Sequence, residues 1–78
     1  MTRPRQRVSI AEIQNLVSLQ LGISEVGEDA QLVSELGAES ADLINLVAAV
    51  EDKYVVLITE DEIPEIRSVR DLFERARG

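Results

Sequence analysis

Leu36-Gly37-Ala38-Glu39-Ser40 and the apolar run after it, Ala41 through Tyr54, decide how the rest of the chain is read. Small residues bring the backbone to Ser40, and Leu43, Ile44, Leu46, Val47, Val50 and Tyr54 then recur at helical spacing. The spacing predicts a helix from Ser40 to Tyr54, with those six residues toward a core and Asp42, Asn45, Glu51 and Asp52 toward solvent or a partner. Ser40 would be the N-cap of that helix, where a serine oxygen accepts from unpaired first-turn amides and contributes about 1 kcal/mol. A serine in that place needs no further role. Three other capping candidates, Ser9, Thr59 and Ser68, carry an acid three residues on, at Glu12, Glu62 and Asp71; Ser40 has Leu43 there. Its hydroxyl is therefore less committed to local structure.

Working outward, residues 1–8 are polar, basic and broken by Pro4, which reads as a flexible tail ahead of a single domain over 9–78. A first helix starts at Ser9, buries Ile10, Ile13, Leu16, Val17 and Leu21, turns Glu12, Gln14 and Asn15 to water, and stops at Gly22. Residues 22–39 make a long connection whose scattered Ile23, Val26, Leu32, Val33 and Leu36 suggest packing over a bundle, with a short helical turn near Asp29–Val33. After Tyr54, Val55-Val56-Leu57-Ile58 is the best strand signal in the chain. It has no comparable partner to pair with, so an extended crossing that drops Ile58 into the core is expected instead. Thr59 then caps a brief acidic helix, with Pro64 tolerated near its beginning. Ser68 opens a last helix with Val69, Leu72, Phe73 and Ala76 inward and Arg70, Arg75 and Arg77 outward. The expected architecture is an all-α, small four-helix bundle: three main helices, one short one and a long first loop.

Seventy-eight residues support one small core, and with aromatic residues at 3% it must be built from Leu, Ile, Val and Ala. The absence of Cys and His removes thiol nucleophiles, imidazole bases and the usual soft metal ligands, so neither catalysis nor a metal site is expected. No apolar run reaches membrane-spanning length, and no signal-peptide region is visible; a cytoplasmic protein is the default. The net charge is −7, yet residues 8–78 hold five of the eight bases against all fifteen acids. That surplus disfavours nucleic acid as a partner, opposes compaction until salt screens it, and suits steering toward basic protein surfaces.

Leu32-Val33-Ser34-Glu35-Leu36-Gly37-Ala38-Glu39-Ser40, with Leu46-Val47 and Glu51-Asp52-Lys53-Tyr54 beyond it, resembles the acyl carrier proteins over about residues 9–76. The resemblance implies 4′-phosphopantetheine, drawn from coenzyme A, esterified to Ser40 and carrying acyl groups as thioesters in fatty-acid, polyketide or related specialised synthesis. It further implies a monomeric substrate platform with no catalysis of its own. A phosphopantetheinyl transferase would load it, and ketosynthases, acyltransferases or acyl ligases would visit it at Glu39, Ala41, Asp42, Asn45, Glu51 and Asp52. A phosphodiester at a helix N-terminus fits this physically, since unpaired amides and the positive end of the macrodipole favour an anion. The chain departs from the family in three places. Ala41 follows the serine where Leu or Met is usual, which shortens the side chain that family transferases are thought to grip; Asn45 stands where an acid is common and Val55-Val56 where polar residues are usual, which points to a specialised pathway. A start at Met and an end soon after the last helix suggest a free-standing carrier. Two other readings stay open: a peptidyl or aryl carrier of nonribosomal synthesis, and an unmodified helical interaction module of the same fold.

Overall fold

In the computed structural model, which describes residues 8–77, Ser9 opens α1 (Ile10–Leu21) through reciprocal bonds. Its hydroxyl accepts from the Glu12 amide at 3.2 Å and its own amide donates to the Glu12 carboxylate at 3.1 Å. Gly22, at φ 70°, ends the helix in the left-handed region, where a Cβ would be strained. Ile13 and Val17 are fully buried, with Ile10, Leu16 and Leu21 packed around them. The expected basic tail lies, for residues 1–7, outside the described residues. Val8, assigned to the same tail, instead packs half-buried against the core. Gln14 also departs from expectation: its Nε2 donates to the Val26 carbonyl at 2.7 Å and pins the start of the long connection.

That connection forms no helical turn at 29–33. Residues 30–32 lie extended beside 67–69, with Gln31 and Ser68 in an isolated antiparallel bridge. The Leu32 amide donates to the Arg67 carbonyl at 2.8 Å and the Val69 amide to the Ala30 carbonyl at 3.0 Å. These bonds satisfy the backbone in extended form, so a helix there would gain little. Turns over 32–36 follow, and the Gly37 (φ 74°) and Ala38 amides donate to the Val33 and Leu32 carbonyls at 3.1 and 2.8 Å. Leu32 and Ala38 are buried, so both ends of this turn are anchored in the core directly ahead of Ser40.

Helix α2 (Ser40–Tyr54) buries Leu46, Val47, Val50 and Tyr54 and half-buries Leu43. Ile44, expected in the core, is 58% exposed. At about 100° per residue it points roughly 160° away from Leu46, and the core needs only one face. After Tyr54 the chain alternates: Val55 and Leu57 outward, at 83% and 82% exposure, Val56 half-buried, Ile58 buried. No strand forms among the described residues. Val55 closes α2 at φ 55°, ψ 50°, a left-handed conformation that is strained for a β-branched residue. Val55→Asn should therefore raise stability by about 1 kcal/mol, and a urea midpoint that fails to rise would show that the strain is relieved elsewhere.

Thr59 precedes a 3-10 segment, Glu60–Glu65, in which Pro64 stands fifth of six residues rather than near the beginning. A segment that ends one residue later has little helix for the ring to break. The Glu62 carboxylate accepts from the Thr59 amide and hydroxyl at 3.2 and 3.0 Å, which holds its pKa below the usual value. A depressed carboxyl contributes stability above its unfolded pKa, 4.5, and loses it as pH falls through the lower folded value. The melting temperature should decline on acidification below that point, and less steeply in Glu62→Gln; parallel profiles for the two proteins would remove Glu62 from the account.

Helix α3 (Val69–Arg77) starts with Ser68 Oγ accepting from the Asp71 amide at 3.1 Å and the Asp71 carboxylate accepting from the Arg67 and Ser68 amides. Val69, Leu72 and Ala76 are buried, Phe73 half-buried. Arg75, expected in solvent, is half-buried and pairs with Glu62 and Glu65, each at 3.1 Å. Arg70 holds Asp29 at 2.6 Å and Glu28 at 3.2 Å, and Arg77 pairs with Glu74. The acidic surplus is thus relieved on the α3 side of the molecule. The three α-helices pack pairwise and the 3-10 segment lies against α2, a small helical bundle.

Candidate functional site

Ser40 is the first residue of α2, not its cap. The cap is Glu39, whose amide donates to the Asp42 carboxylate at 2.9 Å. An acid three residues after the cap was present in the sequence, one position earlier than the serine suggests. Ser40 is consequently exposed, and among the described residues its hydroxyl has no hydrogen-bond partner. The amides of Ser40 and Ala41 belong to the first helical turn, where no intrahelical acceptor exists. A free hydroxyl beside free amides at the positive end of a helix can be esterified by a phosphate and then hold its oxygens. The anchored turn at Leu32 and Ala38 fixes where this end of α2 emerges.

The other residues expected at the site divide into two groups. Glu39, Ala41, Asn45 and Asp52 are exposed. Asp42 and Glu51 are half-buried and already bonded, Asp42 to the Glu39 amide and Glu51 to the Ile58 amide at 2.9 Å. Glu51 thus ties the crossing 55–59 to α2 as well as facing outward. Among the described residues no cluster of His, Cys, Asp and Glu could hold a metal ion, and no helix is long and apolar enough to cross a membrane.

A groove of about 530 Å³ runs between α2 and the 3-10 segment. Ser40 lines it, and its walls are mostly apolar: Leu43, Ile44, Val47, Ile58, Ile63 and Pro64. The sequence signals this groove only through residues that fit the core pattern poorly. Ile44 lies across the helix from Leu46, and Ile63-Pro64 sit in an otherwise acidic segment. A pantetheine-like arm on Ser40 fits this setting, with the first-turn amides at its charged end and the apolar walls alongside.

A family model described as "Phosphopantetheine attachment site" matches residues 11–76. A protein named "Acyl carrier protein" from Solidesulfovibrio magneticus is 37% identical over 77 residues, covering 91% of this chain and 99% of that one. Proteins of the same name from Syntrophobacter fumaroxidans and Cyanidium caldarium are 34% and 36% identical, covering 81% and 83% of this chain. Among solved structures, a chain from "The ishigamide ketosynthase/chain length factor" superposes with a TM-score of 0.70 over 86% of each chain, at 24% identity. That likeness is one of fold.

Proposed function

The chain belongs to the acyl carrier protein family, and from that premise we propose that Ser40 bears its 4′-phosphopantetheine. The observation that carries this is the exposed, unbonded Ser40 hydroxyl at the first position of α2, beside amides without acceptors and lining an apolar groove. When bound, the group supplies a thiol that holds acyl chains as thioesters. The protein's own residues present and shelter it.

Attachment forms a bond from Ser40 Oγ to phosphorus and breaks the pyrophosphate of coenzyme A, whose nucleotide half leaves. The hydroxyl proton must pass to a base. No group is hydrogen-bonded to the Ser40 hydroxyl among the described residues, and in this reading the base comes from the separate phosphopantetheinyl transferase that the family resemblance implies. The chain then acts without catalysis of its own, in the cytoplasm, delivering acyl groups to ketosynthases, acyltransferases or acyl ligases. Specialised synthesis, such as that of polyketides, is favoured by Asn45 and the Val55-Val56 pair. Intact mass after incubation with a broad-specificity phosphopantetheinyl transferase and coenzyme A tests the reading. One added phosphopantetheinyl group is expected, and an unchanged mass would leave the unmodified interaction module as the better account.

A further inference from the structure

Ser40, Ile44, Val47 and Glu51 fall on one stripe of α2, since eleven residues at about 100° each return to within about 20° of the start. That stripe is one wall of the groove, with Ser40 at one end and Glu51 about 16 Å away along the helix axis. A phosphopantetheine arm has about as many chain atoms as four or five peptide residues and spans about 15 Å when extended. Laid along the stripe, the arm alone uses the apolar length of the groove. The acyl group then begins beside Glu51, where Ile58, whose amide is bonded to Glu51, and Glu60, two residues on, also line the groove. Glu51 is half-buried and fixed through Oε2, while its Oε1 takes no hydrogen bond among the described residues. Glu60 is exposed, and its carboxylate has no hydrogen bond or ion pair among those residues. No Lys or Arg lines the groove. Arg75 is held by Glu62 and Glu65, and Lys53 lies 5.7 Å over the Tyr54 ring and lines a hollow against α1.

We propose that Glu51 and Glu60 select the cargo by the atoms nearest its thioester: acyl groups bearing a hydrogen-bond donor there, best an ammonium, lie in the groove, and carboxylated acyl groups are turned out into solvent. The proposal rests on Ser40 bearing the arm. A donor close to the thioester meets two carboxylates with free acceptor sites, in apolar walls that weaken the screening of charge. A plain alkyl group gains the walls but leaves those acceptors facing it without water. A carboxylated group brings a third negative charge to a place that has no cation to offset it.

The test loads the protein, with a broad-specificity phosphopantetheinyl transferase, from acyl-coenzyme A donors in pairs of equal shape: 3-aminopropanoyl with butanoyl, and malonyl with 3-methylbutanoyl. Cleavage of each thioester by hydroxylamine is followed by intact mass and compared with cleavage of the same acyl group on free pantetheine, which gives the protection due to the groove. 3-Aminopropanoyl should be protected about tenfold more than butanoyl, the worth of one charge-assisted hydrogen bond, and malonyl about tenfold less than 3-methylbutanoyl. With Glu51→Gln and Glu60→Gln combined, each pair should converge to within about twofold. The glutamine carbonyl can still accept from the Ile58 amide, and circular dichroism melts check that the fold is kept. Equal protection within either pair in the wild type would overturn the proposal, as would differences that persist in the double variant. Malonyl protected better than 3-methylbutanoyl, with shifted amide resonances at Ser34 and Arg67, would place the acyl group in the hollow that those two residues line and overturn it too. Each of these outcomes comes from loaded protein and leaves the mass gain at Ser40 intact, whereas no mass gain from any donor overturns the attachment reading and this one together.

Discussion

Ser40→Ala protein, incubated with transferase and coenzyme A, should show no mass gain, while Ser34→Ala gains one phosphopantetheinyl group as the wild type does. The effect is all or none, because among the described residues no other serine stands at the first position of a helix with its hydroxyl free and a groove beside it. Ser9 and Ser68 have their hydroxyls engaged with the Glu12 and Asp71 amides, and that of Ser18 donates to the Ile23 carbonyl. The same substitution should leave stability within about 0.5 kcal/mol of wild type. Were Ser40 the cap, about 1 kcal/mol would go with its hydroxyl. Glu39 and Asp42 close the helix instead, and alanine is a good residue inside a first turn. Ser40→Ala thus separates loss of the attachment point from loss of fold. Modification that survived it would sink the assignment.

The largest effect on stability is expected at Leu72, which is fully buried on α3. Leu72→Ala should lower the unfolding free energy by about 2–5 kcal/mol, the transfer term plus the cavity left behind. A domain of 78 residues has about 4–12 kcal/mol in total. The variant should be substantially unfolded near its former midpoint in urea, and modified more slowly in proportion to its remaining native fraction. A loss under about 1 kcal/mol would mean that α3 repacks around the gap.

How far the sequence discloses this molecule depends on whether side chains or backbone make the decisive bonds. Ser9 with Glu12, Gly22, and Ser68 with Asp71 are local signals, and the structure uses each as expected. The resemblance carried by Leu36 through Ser40 points to Ser40, which stands at the first position of α2. Local reading failed where two adjacent residues could play one role. Glu39 has a carboxylate partner at the right spacing and takes the cap from Ser40. It failed again at Ile44, because a helix pattern lists every apolar position and does not say which arc the other helices will cover. The stitch between 30–32 and 67–69 is made of backbone groups that every sequence possesses, and nothing in Ala30, Gln31 or Leu32 announces it. Val55 is the opposite case: its side chain argues against the left-handed conformation that the crossing imposes on it.

That stitch bears on when the site exists at all. The bonds from Leu32 to Arg67 and from Val69 to Ala30 close a loop of roughly 35 residues, whose entropic cost is met only once α3 has docked. Helices α1 and α2 are sequence-local, whereas the stitch that anchors the turn ahead of Ser40 needs 67–69 in place. Opening that turn afterwards breaks its bonds to 67–69, so the proposed attachment point is coupled to the start of α3. On the proposal that a transferase acts at Ser40, it would meet that serine only in a chain whose 67–69 segment is in place.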